Sequence, residues 1–154
     1  MIGKLGVAKA RDNIARAWLD LRNYERALQV EEKQRDAHAA KEGFTPEKAV
    51  VYGNLYVANL GLSRMKEAEG YFHQSNLNYA WIRDRKGILR NLRVLDWWLG
   101  SAKHNVEKLF LGYSMGAKRA ELFVEALAQC IRILNQELFP HSEFTQFLQS
   151  RRPL

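Results

Sequence analysis

The sequence predicts an all-α protein on three observations. Apolar side chains recur every three to four positions along nearly the whole chain, and no stretch alternates apolar and polar residues as a half-buried strand would. Helix start and stop signals also punctuate it at short intervals. A length of 154 residues suffices to enclose a core without disulfides or metals, so one domain spanning 1–154 is expected. The apolar share of 47% and charged share of 27%, with three prolines, are those of a globular protein and not of a disordered one.

From Asp12 onward, Ile14, Ala17, Trp18 and Leu21 recur at helical spacing, and a break is predicted at Arg22 to Asn23. Tyr24, Ala27, Leu28 and Val30 open a second helix. Its later part, Glu31 to Asp36, is polar enough to be expected exposed on most sides, and Gly43 ends it because glycine accepts left-handed geometry at a helix C-terminus. The clearest start signal follows. Thr45 can accept hydrogen bonds from orphan amides, Pro46 has its φ already helical, and Glu47 suits the positive helix end. A helix from Pro46 would bury Ala49, Val50, Gly53, Tyr56, Val57 and Leu60 and turn near Gly61 to Ser63. Met65, Ala68, Phe72, Ser75 and Tyr79 then face inward on the next helix, and Gly87 lies near a third boundary.

Ile88, Leu92, Val94, Leu95, Trp98 and Leu99 form another stripe, with Gly100 and Ser101 as a stop and a new cap. Val106, Leu109, Phe110 and Tyr113 give a short helix before Gly112 and Gly116. The next helix is strongly amphipathic, with Ala120, Phe123, Leu127, Ile131, Leu134 and Leu138 opposing Lys118, Glu121, Glu125, Gln129, Arg132 and Gln136. Pro140 stops it, and a terminal helix runs from Ser142 to about Arg151.

Short helices joined by tight turns must pack as antiparallel neighbours, which restricts the fold to a helical bundle or a short solenoid. In the first pair, small Ala15 precedes aromatic Trp18, then Tyr24 at the turn and Ala27 beyond it; Gly53 and Tyr56, then Met65, Ala68 and Phe72, repeat the order. Over about residues 12–80 this resembles the tetratricopeptide repeat, leaving 86–154 as additional helices. Glu31 departs from that family's pattern, standing where a large apolar residue is usual. The resemblance implies antiparallel helical hairpins that serve interaction, as a scaffold or accessory subunit binding a protein partner, and carry no chemistry of their own.

Residue chemistry points the same way. Gly112, Tyr113, Ser114, Met115 and Gly116 fit the nucleophile-elbow pattern of serine hydrolases, which needs an acid and then a histidine later in the chain. No aspartate follows Ser114, and Glu137 and His141 sit four apart around a proline. The competing reading makes Gly112 a helix end and Ser114 a cap. His38, His73, His104 and His141 lack ligand spacing, Cys130 has no second cysteine, and Gly3 with Gly6 lacks the residues of a phosphate loop. Neither an enzyme, a metal site nor a cofactor is expected. Cys130 lies in an apolar stripe and reads as a buried thiol in a reducing, intracellular compartment.

The formal charge of +7 is concentrated in Arg83, Arg85, Lys86, Arg90 and Arg93 against Asp84. On a helix beginning near Lys86, the side chains of Lys86, Arg90, Arg93 and Trp97 share a face opposite Leu92, Leu95 and Leu99, with Tyr79 and Trp81 just upstream. Cations beside aromatics suit an acidic protein partner, or alternatively RNA in a ribonucleoprotein assembly, where phosphates are gripped and unpaired bases stacked. A groove near Tyr52 and Asn59 is the other candidate contact. Lys4, Lys9, Arg11 and Arg16 crowd the N-terminus as in an import segment, but this stretch is poor in serine and is read as the start of the fold. No apolar run approaches the ~20 residues of a membrane span.

Overall fold

The computed structural model describes residues 4–99 and 106–134, and there the chain is all-α. Seven helices follow in order: α1 (Lys4–Asp20), α2 (Tyr24–Ala39), α3 (Pro46–Gly61), α4 (Met65–Trp81), α5 (Arg85–Leu99), α6 (Val106–Tyr113) and α7 (Ala120–Leu134). The predicted cap at Gly100 and Ser101, Leu138, Pro140 and the terminal helix lie outside the described residues. The chain divides into two compact units, Met1–Ser75 and Asn76–Leu154, so that α4 contributes to both.

In the first unit α1, α2 and α3 pack against one another. Ala27, Leu28, Val51, Leu55 and Ala58 form the buried centre, and Trp18, Leu19, Tyr24, Tyr52, Leu62 and Tyr71 close around it. Small residues decide where backbones approach. Ala15, Ala27, Ala49 and Ala58 are fully buried, and Ser75 Oγ reaches across from α4 to donate to the Ala49 carbonyl at 2.7 Å. Tyr56 and Phe72, both fully buried, meet with ring centroids 5.0 Å apart, so the aromatic positions picked out by the sequence do fill the gap between α3 and α4. The start of α3 is as predicted, with Thr45 Oγ1 accepting from the Lys48 amide at 3.1 Å and Pro46 in the first turn. α2, however, stops at Ala39 before Gly43, which takes φ +81° in the loop instead.

The second unit contains α5, α6 and α7 with the end of α4. Ile88, Leu92 and Leu95 of α5, Val106 and Phe110 of α6, and Phe123, Leu127 and Ile131 of α7 are among its buried apolar residues. α6 begins because α5 caps it. Asp96 is buried, and its carboxylate accepts from the Val106 amide at 2.7 Å and the Glu107 amide at 3.1 Å, satisfying two orphan donors with a charge favoured at that end. Gly112 does not end α6, which continues to Tyr113.

One turn is used three times. Between α1 and α2, α3 and α4, and α4 and α5, a residue in the left-handed region closes the first helix: Arg22 at φ 59°, Ser63 at 59° and Arg83 at 58°. The amide that follows then reaches back five residues, Asn23 to the Trp18 carbonyl at 2.8 Å, Arg64 to Asn59 at 2.9 Å and Asp84 to Tyr79 at 2.8 Å. Two of these residues also start the next helix, as Asn23 Oδ1 accepts from the Arg26 amide and Asp84 Oδ1 from the Gly87 amide.

Candidate functional site

α5 sorts its residues as amphipathic spacing requires. Leu92 and Leu95 are buried, while Lys86, Arg90, Arg93 and Trp97 lie on the exposed face, Trp97 at 62% exposure. The basic residues of the region nevertheless divide into two groups. Arg83 donates to the Lys118 carbonyl at 3.1 Å, and Arg85 donates to the Ser114 carbonyl at 3.0 Å while its guanidinium lies 5.3 Å over the Phe123 ring. Both hold the segment between α6 and α7. Arg93 forms a two-pronged pair with Glu107, at 2.9 and 3.4 Å. Lys86 and Arg90 remain outward, with no ion pair among the described residues. Tyr79 does not extend this face, because it is buried at 4% exposure with its ring against Gly87. The cationic surface is thus narrower than the sequence implies: Lys86, Arg90 and the edge of Trp97, with Arg93 already engaged.

The groove near Tyr52 and Asn59 does not form as expected. Asn59 is 2% exposed and its amide donates to the Leu55 carbonyl at 2.7 Å within its own helix, so a partner has no access to it. Tyr52 is half-buried and stacked on Tyr71, whose hydroxyl receives a hydrogen bond from Arg35 at 2.7 Å.

Ser114 is fully buried and follows a helix instead of a strand, and its amide donates to the Phe110 carbonyl at 2.8 Å. The strand–turn–helix that would present an elbow serine is not formed at this position. A shallow cleft of 220 Å³ nearby is lined by Tyr113, Met115, Leu122, Glu125, Ala126 and Gln129, with no nucleophile and base side by side. Cys130 is buried, and its thiol is pushed up to about 12 by loss of solvent and by the nearby Asp96 charge, so it stays protonated at neutral pH. Among the described residues no three histidines, cysteines or acids come together as a metal ligand set.

The polar run of α2 is where sequence reasoning missed most. Glu31 and Gln34 were expected in solvent, yet Glu31 is fully buried and Gln34, like His38 one turn on, is 4% exposed. The first unit folds them against α1 and α3. Gln34 Nε2 donates to Asp12 Oδ1 at 2.8 Å and lies 3.5 Å from Glu31 Oε1, while Asn54 Nδ2 donates to Glu31 Oε2 at 3.3 Å. Burial, the Asp12 charge and a hydrogen bond to Asp12 raise Glu31 to about 9, and burial raises Asp12 as well. Two carboxyl groups in one low-dielectric pocket cannot both ionise cheaply, so Glu31 holds its proton at neutral pH. Glu31, Gln34 and His38 fall three and four apart, a row that marks one helix face, and that spacing was the available signal.

Among the described residues no helix is long and apolar enough to cross a membrane. No protein-family model matches the chain, and neither curated proteins nor solved structures include a significant match to it.

Proposed function

We propose that this chain is a non-catalytic interaction module, an accessory or scaffold subunit whose helical hairpins resemble tetratricopeptide repeats and which grips an acidic protein partner with the outward face of α5. The observation that carries the reading is Trp97, 62% exposed on the same helix face as outward Lys86 and Arg90. A large exposed indole beside cations is the composition of an interface hot spot. Hairpins closed by the same turn three times support the repeat-like reading, and the buried Ser114 and protonated Cys130 support a non-catalytic one.

The test places a photo-reactive amino acid at position 90 of the full chain in its native source and identifies what it cross-links. The purified cross-linked protein should bind the unmodified chain, and Trp97→Ala should weaken that binding at least about tenfold. A cross-linked protein whose affinity is untouched by Trp97→Ala would sink the proposal. The same cations and indole also suit single-stranded RNA, which is the second reading. It predicts cross-linked RNA, binding that falls steeply with salt, and loss on Lys86→Glu with Arg90→Glu.

A further inference from the structure

We propose that one proton held between Asp12 of α1 and Glu31 of α2 fastens the first half of α1 to its unit, and that losing it frees residues 4–13 as an arm while the rest of α1 stays packed. The two halves of α1 are held differently. Ala15 is fully buried, and Trp18 and Leu19 pack on the core of α2 and α3, which anchors the second half. Among the described side chains between Gly6 and Ala15 none is buried. What ties that stretch down is Asp12, whose carboxyl meets Glu31 in a hydrogen bond and accepts from Gln34 Nε2 at 2.8 Å. A helical segment with so little buried apolar surface opens locally, without the unit, once its polar tie is cut.

Two carboxyl groups joined by a hydrogen bond need a proton between them, because an ionised carboxylate only accepts. The other groups facing the pair supply no substitute. Gln34 of α2 and Asn54 of α3 bring neutral amides, 3.5 and 3.3 Å from the Glu31 oxygens. His38 of α2 favours the charge on Asp12, and Glu47 in the first turn of α3 opposes it. Lys48 is turned to the carbonyls of Lys41 and Gly43, and Arg35 to Tyr71 and Asp36. Lys9, Arg11 and Arg16 along α1 are exposed, and neither carboxyl has an ion pair among the described residues. Without its proton the pair becomes two like charges held out of water, and opening the arm returns both to solvent. Glu31 keeps its proton to about pH 9 in the docked state against 4.5 ordinarily, so docking is firmest near pH 4.5 and weakens as pH rises toward 9.

The inference does not rest on the α5 reading and is tested separately. Trypsin reads the arm directly, because Lys9 lies inside it, Arg16 in the anchored half of α1 and Lys48 in α3. Cleavage of the full chain at each site is followed by mass spectrometry from pH 6 to pH 9 and normalised, at each pH, to an unstructured peptide of the same local sequence. Cleavage after Lys9 should rise about tenfold per pH unit until the arm is fully open, which is the slope of one released proton. It should outpace cleavage after Arg16 and Lys48 throughout. Glu31→Gln should flatten the slope, since its amide can donate to Asp12 with no proton to lose, and circular dichroism establishes that this variant is folded. Cleavage after Lys9 that ignores pH in the parent would overturn the proposal without any variant. A slope retained in folded Glu31→Gln would overturn it too. So would equal rates at Lys9 and Lys48, which would mean that only unfolding of the whole unit exposes the arm. Cleavage after Lys9 at pH 6 as fast as in the unstructured peptide would show an arm that was never fastened.

Discussion

The ring of Tyr24 fills the space that a side chain on Gly61 would need, since a Cβ there would stand 2.4 Å from Tyr24 Cγ. Gly61→Ala therefore forces the ring off its seat. The change should destabilise by about 1–2 kcal/mol despite alanine's better helix propensity. Gly70→Ala is the control, because nothing lies within 4 Å of a Cβ at that exposed helical site, and it should stabilise by about 0.5–1 kcal/mol. Urea titration of the two variants checks both signs.

Glu31 makes stability fall as pH rises. Its pKa is raised from 4.5 to about 9 in the folded chain, so its contribution is complete below pH 4.5, where both states are protonated. The unfolded chain then releases the proton while the native one retains it, and stability declines until about pH 9. Glu31→Gln keeps the shape and removes the titration. It should match the parent near pH 4.5 and exceed it at pH 9, with a visibly flatter profile of unfolding free energy between. Parallel profiles for the two proteins would refute the assignment.

Arg85 and Arg90 should behave as opposites. Arg85→Ala strips the Ser114 carbonyl of its donor and the Phe123 ring of its cation, and should cost about 1–3 kcal/mol. Arg90→Ala should change stability by less than about 0.5 kcal/mol, because the side chain is exposed and outward. Thermal melts of each variant decide this, and a melting point lowered by Arg90→Ala would show that Arg90 belongs to the fold.

The Cys130 thiol should resist a water-soluble disulfide reagent at pH 8 in the native protein and react promptly in denaturant, since it is buried and its pKa stands at about 12. Rapid native labelling would contradict its placement.

What the sequence disclosed follows from what hydrophobic spacing can and cannot report. Thr45 and Pro46 announced the start of α3, and Ala68, Phe72, Ile88, Leu92, Phe123 and Leu127 were identified as core because each recurs with a helical period. The repeated turn was invisible: Arg22, Ser63 and Arg83 adopt a geometry usually signalled by glycine or asparagine, at about 1 kcal/mol each. Glu31 and Asn59 were placed in solvent or at a groove by polarity alone, and periodicity cannot foresee that Asn54 of α3 satisfies the first and the Leu55 carbonyl of its own helix the second. The α5 face was legible as a face. That Arg83, Arg85 and Arg93 had structural partners was not, since those partners lie far along the chain.

An oily residue at position 31 would tolerate a neighbour that had slid or rotated, because dispersion forces have little sense of direction. The neutral acid is less forgiving, for its oxygens find donors from Asn54 and Gln34 in one alignment, and a misaligned assembly would strand them in a dry interior. Three rods so joined are checked for register at the moment they meet, and a misthreaded partner is rejected by thirst.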